Sequence, residues 1–459
     1  PGPPSLPVYG AFWIILSYEF ANLSKAFYKL GKKYNSKVLG FFLGPVPTVV
    51  LNDPDDIKEM LFREEFDGRM DIILFRLRSY WKKLGIFFTD GYFWHVQRRF
   101  TLRYLRDFGF GRRCPILENV VEQETKEMIC MRVNGIKFPA EKEVVNGDLV
   151  YLPHFFAVPF INGMVQVIAR TTLPRKEYEA LWDLAKGTLL FQRNSNDMGG
   201  ALSLTPWLKD VMPNYSGYNN LVKGNQFLLD FFTVNYTEIY ITCFSFYSSL
   251  VLSCTDYMFP AASAVQATLT MLVERLLYQP EIQVKIHEEI DRVVGRDRMP
   301  NLDDRRNMPY TESCIREMMR IETLVPLGVP HRAMIDTKIA GYDIPEVHSH
   351  YFIDNCPNLT LLHMDEDIWG DPENFRPERF IVDGQLNVAK DKSLPFGAGR
   401  RLCAGETYAR QSMFQVFSGF MQAFNVSTID GEPLKELAPR IQGIITTIPE
   451  FWVRVTPRS

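Results

Sequence analysis

Phe396-Gly397-Ala398-Gly399-Arg400-Arg401-Leu402-Cys403-Ala404-Gly405 sets one cysteine in a short loop bracketed by glycines. Gly397 and Gly399 open backbone angles that a side chain forbids, so the chain can turn tightly beneath a sulfur. Backbone N–H groups of such a loop can point at a thiolate and tune its donation to a metal. Arg401, two residues before the cysteine, can reach an anionic group with a charge-assisted bond. A lone cysteine is ordinarily a small hydrophobe. The spacing Phe-x-x-Gly-x-Arg-x-Cys-x-Gly is too specific for that reading and marks Cys403 as a metal-ligating thiolate.

Other stretches agree with it, in order along the chain. Pro1-Gly2-Pro3-Pro4 is a proline-rich stretch. Trp94-His95-Val96-Gln97-Arg98 is a Trp-x-x-x-Arg segment. Glu317-Met318-Met319-Arg320 places an acid and a base one helical turn apart. Asp371-Pro372-Glu373-Asn374-Phe375-Arg376-Pro377-Glu378-Arg379-Phe380 supplies a further arginine. Together these motifs resemble the cytochrome P450 family, the haem-thiolate monooxygenases, over nearly the whole chain. The resemblance is to the microsomal type, in the clan that includes vertebrate drug-metabolising enzymes and several insect hormone enzymes.

The resemblance implies a mainly α fold with a minor β part, and haem between a long central helix and the Cys403 loop. Residues 1–459 form one catalytic domain, with residues 1–10 as the hinge and the family's membrane anchor expected before it. The cofactor implied is haem b, iron protoporphyrin IX, with Cys403 as axial ligand. Trp94, Arg98, His331 and Arg401, with Arg69 beside them, are the family's positions for the propionates, and Phe396 and Gly405 shape the loop. Glu317, Arg320 and Arg379 form a structural triad that locks this loop, without a catalytic role. NADPH serves indirectly through a flavoprotein reductase, for which the basic set Arg98, Arg99, Arg103, Arg106, Arg112 and Arg113 is a docking candidate; a solvated helix face is the alternative. Substrate is a lipophilic small molecule in an apolar pocket near Phe88, Ala261–Ala264, Leu324–Val329 and Ile444. The membrane surface is a further partner, at the cytosolic face of the endoplasmic reticulum.

Bulk properties are compatible. The hydrophobic share is 46% and the aromatic share 13%, which suits a large core, and the net charge of -3 argues against nucleic acid as a partner. Seven cysteines, scattered and odd in number, indicate neither a disulfide framework nor a zinc site. The His348-Ser349-His350 pair lacks a third ligand nearby and reads as surface loop. No stretch near the N-terminus reaches the roughly 20 apolar residues of a membrane helix. The uncharged run 239–255 reads as buried or irregular rather than spanning.

Local patterns give the elements. Residues 22–34 read as an amphipathic helix, 37–51 as a hairpin turning at Gly44-Pro45, and Asp53-Pro54 as the start of a helix to Phe62. Residues 119–232 read as mostly helical, 271–295 and 308–320 as helices, 337–344 as short strands, and 404–424 as a last long helix.

One departure concerns chemistry. Where the family carries an acid and a threonine that relay protons to iron-bound oxygen, this chain has Ser263 and Ala264. Pro260 just before them removes a helical hydrogen bond and is expected to kink the helix. Two explanations stay open: the enzyme dispenses with the ordinary relay, or residues 233–266, and likewise 348–355, are not authentic coding sequence. The first leaves two alternatives to a monooxygenase: a haem-thiolate isomerase or lyase acting on a peroxide, or a haem-binding protein without turnover.

Overall fold

Residues 244–278 form two helices in place of the expected long central one. Pro260 has no N–H and falls in the last turn of the helix Phe244–Ala261. The Ser263 N–H then bonds Pro260 O at 3.3 Å, one residue short of the helical partner. Ser263 takes φ -146°, ψ -54°, and a second helix runs Ala264–Tyr278. The kink expected at Pro260 is thus a full break. Pro280 acts likewise further on. It opens the helix Pro280–Val293 from its first turn, so the stretch read as one helix over 271–295 belongs to two.

The computed structural model describes residues 1–20, 22–195, 201–235, 244–346 and 354–458. His348, Ser349 and His350 lie outside them, as do residues 239–243 of the uncharged run. The rest of that run, read as buried or irregular, is helical from Phe244.

Elsewhere the local signals act as read. Asn22 accepts from Lys25 N at 3.0 Å and caps the helix Leu23–Tyr34. Asp53 accepts from the N–H groups of Asp55 and Asp56 and caps Pro54–Phe62. Strands Val38–Leu43 and Val46–Leu51 pair antiparallel, with Gly40 opposite Val49. Their sheet grows through Asp354–Pro357 and His331–Arg332 to Gly68–Arg69. A second sheet orders Phe424–Ser427, Phe451–Pro457, Leu149–Leu152 and Val145–Asn146. The last two strands interrupt the region read as mostly helical.

The main apolar core draws residues from Met70 to Val455, and two smaller clusters lie about the first sheet. The helix Glu406–Ala423 is buried on nearly every side, as its Met and Phe content requires. It starts three residues after Cys403, so the cysteine loop is anchored directly in the core. Among the described residues no helix is long and apolar enough to cross a membrane.

Candidate active site

The cysteine loop closes on itself. Gly397 N donates to Leu394 O at 3.0 Å, and Cys403 N donates to Phe396 O at 2.9 Å. Gly399, at φ +65°, lies so near the end of helix 54–62 that a Cβ would sit 1.9 Å from Leu61 O. No other residue fits there. Cys403 is set deep among protein atoms yet keeps an accessible face. Burial pushes its thiol up, while the Gly405 N–H and the Arg98 charge pull it back.

Cations converge beside it. Arg98 donates to Leu402 O. The Arg401 guanidinium stacks 3.6 Å from the Trp94 ring centre and donates to Asp67 O and, at 2.8 Å, to Thr89 O. Buried Arg69 donates to Pro330 O at 3.3 Å. These arginines rely largely on backbone carbonyls. Burial, with Arg69 beside it, pushes Arg401 down to about 8. Trp94 Nε1 is buried without an acceptor. The Asp67 and Asp90 carboxylates act on Arg401, but Arg69, Arg98 and Arg401 together outnumber them, and the set fits a dianionic group that presents a metal to Cys403. Haem, with two propionates and an iron, has that chemistry.

His331 stands apart from the other candidates. Its Nδ1 lies 2.6 Å from Phe66 O, so Nδ1 carries the proton. Burial, with Arg69 nearby, keeps the ring neutral, far below the ordinary histidine range. Its Nε2 is then an acceptor, and His331 donates to a carboxylate only after gaining a second proton.

Glu317 and Arg320 are fully buried and joined by two bonds of 2.8 Å, and Arg379 Nε donates to Glu317 at 2.9 Å. Arg320 also donates to Pro372 O and His363 O, while Arg379 donates to Trp369 O and Asn374 O. The three residues therefore clamp the segment 363–379 that precedes the cysteine loop.

At the helix break the side chains are spent on backbone. Ser263 Oγ donates to Phe259 O at 2.7 Å, the carbonyl orphaned by the break. It accepts from Gln192 Nε2 at 2.5 Å. Gln266 Nε2 donates to Ala262 O, and Thr268 Oγ1 donates to Ala264 O at 2.9 Å. The one hydroxyl proton at 263 is engaged, and Ala264 has none.

The segments expected to line the pocket come together. Ile444 N donates to Gln192 O at 3.3 Å, and Thr446 N donates to Leu324 O at 2.7 Å. Phe88 stacks on Phe75 at 3.5 Å, with the Arg78 guanidinium between Phe88 and Phe259. Arg78 pairs with Asp256 at 2.5 Å, both buried. Asp256 also accepts from the N–H groups of Ile86 and Phe87, at 2.6 and 3.1 Å, and so pins this loop to the helix before the break. Sequence reasoning singles out none of Asp256, Arg78, Gln192 and His363. An acid inside an apolar run was the available signal for Asp256; the other three carried none.

The basic set does not form one surface. Arg98 turns inward, while Arg106 and Arg112 pair with Asp107, and Arg113 pairs with Glu118 and Asp303. Arg99 and Arg103 are exposed, beside an exposed apolar stripe of Tyr92, Val96, Phe100 and Tyr104.

The cytochrome P450 family model matches residues 1–144 and 247–454, and so includes the helix break. A farnesoate epoxidase of Bombyx mori is 29% identical, covering 100% of this chain and 94% of the relative. Cytochrome P450 2F2 of Mus musculus is 30% identical over 97% of this chain and 91% of its own length. A probable cytochrome P450 303a1 of Drosophila melanogaster is 28% identical over 100% and 94%. With its mainly α fold and a cysteine loop flanked by arginines, the chain belongs to the cytochrome P450 family of haem-thiolate monooxygenases.

Proposed function

We propose that this protein inserts one oxygen atom from O2 into a lipophilic small molecule, using electrons from NADPH delivered by a flavoprotein reductase. The carrying observation is the meeting of an accessible Cys403 thiol with Arg69, Arg98 and Arg401 and the unpartnered Trp94 N–H. Cys403 would ligate the haem iron. Trp94, Arg98 and Arg401, with Arg69, would face the propionates, and His331 would join them once the dianion raises its proton affinity. When bound, haem supplies the oxygen-activating redox chemistry, and a thiolate ligand favours O–O cleavage.

The chain's own residues bind and orient. The Arg78–Asp256 pair neutralises both of its charges, leaving the Phe75, Phe88 and Phe259 surroundings suited to an uncharged substrate. The Bombyx relative is named for a farnesoate; a lipophile of that kind is in keeping with such a pocket. Residues 1–459 act as one catalytic domain.

Exposed apolar residues support contact with a membrane surface, assigned to the cytosolic face of the endoplasmic reticulum. Val8, Trp13 and Phe20 lie on the N-terminal segment, and Trp207, Val211 and Tyr215 on a distant one. Leu204 packs with Ala11, Ile15 and Leu43, joining the two segments. For the reductase, exposed Arg99 and Arg103 are the cations left to an acidic partner.

The test is spectroscopic and then catalytic. The reduced, CO-bound protein should show the long-wavelength Soret band of a thiolate-ligated haem, and Cys403→Ser should abolish it. Product formation should need both NADPH and reductase. A second reading rests on the engaged Ser263 hydroxyl and on Ala264: a haem-thiolate isomerase or lyase needs no proton relay. Fast conversion of a lipid hydroperoxide without reductase would favour it.

A further inference from the structure

His363 is fully buried at the end of the short helix Leu359–His363 and makes three hydrogen bonds. Its carbonyl accepts from Arg320 Nη1 at 2.7 Å. Its Nδ1 lies 2.9 Å from Thr323 Oγ1, and its Nε2 accepts from Leu394 N at 2.8 Å. These contacts fix the tautomer. Thr323 has one hydroxyl hydrogen and donates it to Arg320 O at 3.0 Å, so Nδ1 must carry the ring proton. The Leu394 N–H is a donor, so Nε2 must be a lone pair. Both constraints select one neutral form. Burial, reinforced by the Arg320 charge, pushes the ring down to about 3, which agrees.

Leu394 is where the chain enters the cysteine loop: its carbonyl accepts from Gly397 N, and Phe396 O two residues on accepts from Cys403 N. A continuous path therefore runs from Glu317 through Arg320 to the His363 backbone, and through the imidazole to the base of the loop. We infer that His363 is a positioning residue for Cys403, transmitting the Glu317–Arg320 clamp to the loop through its Nδ1–H tautomer. The inference rests on the reading of Cys403 as haem ligand. A satisfied core histidine with no bearing on the cysteine is the rival account.

Two variants of the haem-loaded protein separate them. His363→Leu leaves the Leu394 N–H without an acceptor, and loop opening should rise roughly tenfold or more. The reduced CO complex should then lose its thiolate band to the shorter-wavelength form, and the iron–sulfur stretching frequency should shift in the resonance Raman spectrum. His363→Gln, whose amide can accept from Leu394 and donate to Thr323, should keep both signatures close to the unmodified protein. An unchanged band and frequency in His363→Leu would overturn the inference, as would equal damage in both variants. If His363→Leu does not accumulate, hydrogen exchange on the unmodified holoenzyme decides. The Leu394 amide must exchange slowly; exchange at exposed-loop rates removes the claim. If the unmodified protein shows no thiolate band, the fault lies with the Cys403 reading and not with His363.

Discussion

The cysteine loop and the helix break at Pro260 are both irregular backbone near the proposed haem, and they are stabilised in different ways. The loop is held from a distance by charge. Glu317, Arg320 and Arg379 are tied into one buried network whose outer bonds reach His363, Trp369, Pro372 and Asn374. The break is held from within by neutral groups. Ser263 and Gln266 cap the Phe259 and Ala262 carbonyls beside the break, and Gln192 steadies Ser263 from another helix. Charge networks are unforgiving when a member is lost, because an unpaired buried charge remains. Neutral caps cost less to remove. The loop should therefore be rigid and intolerant, and the break adjustable.

The largest effect should come from Glu317→Ala. It strands Arg320 and Arg379 in the interior, at a cost of roughly 3–5 kcal/mol. Little haem-loaded protein should accumulate, measured by haem content per chain and by the denaturant midpoint. A folded, haem-replete variant would show that the loop does not depend on the network. Ser263→Ala is the matching change at the break. It frees Phe259 O and Gln192 Nε2, costing about 1–3 kcal/mol. That variant should still fold and load haem. A loss as large as that of Glu317→Ala would erase the distinction between the two regions.

The two regions also differed in how far the sequence exposed them. The loop was readable because its constraints are local: glycines, an arginine and a cysteine within ten positions. The caps at Asn22 and Asp53 were readable for the same reason. The break was half readable. Pro260 announced a disturbance, but whether a kink or a full break results depends on the Ser263 and Gln266 side chains and on Gln192, which lies 71 positions away. The Arg78–Asp256 pair joins residues 178 positions apart, and the strand 149–152 pairs with the C-terminal strand 451–457. Pairings of that range leave no local pattern. His363 looks like any histidine until Thr323 and Leu394 are placed around it.

Acid should sharpen the contrast, since the loop side contains a histidine that must stay neutral. His363 titrates near 3 in the folded chain, against about 6.5 when unfolded. Below pH 6.5 the unfolded chain takes a proton that the folded one refuses, so stability falls as pH drops towards 3. The contribution is about 1.4 kcal/mol per pH unit. His154 and His287, both pushed down to about 4 by burial, add the same sign of dependence. His363→Gln should remove one proton from the slope of unfolding free energy against pH, measured by denaturant titration between pH 6.5 and about 4. An unaltered slope would mean that His363 is already charged or is not buried as described.

The smallest effect, and the most informative about chemistry, concerns the break. General acid–base assistance is worth roughly 100- to 10,000-fold where a proton must be delivered. Ser263 gives its proton to Phe259 O, and Ala264 has none to give. If oxygen is activated here, much of the NADPH consumed should end as peroxide or water. Ser263→Asp alone should not help: it deprives Phe259 O of its cap and buries a carboxylate beside Gln192. The double change Ser263→Asp with Ala264→Thr adds a hydroxyl on the first residue of the following helix, next to the new acid. Product formed per NADPH should then rise several-fold, modestly because the backbone at the break still follows Pro260. Tight coupling in the unmodified chain would defeat this account. Thr268, whose hydroxyl points back to Ala264 O, or the substrate itself would then have to carry the proton.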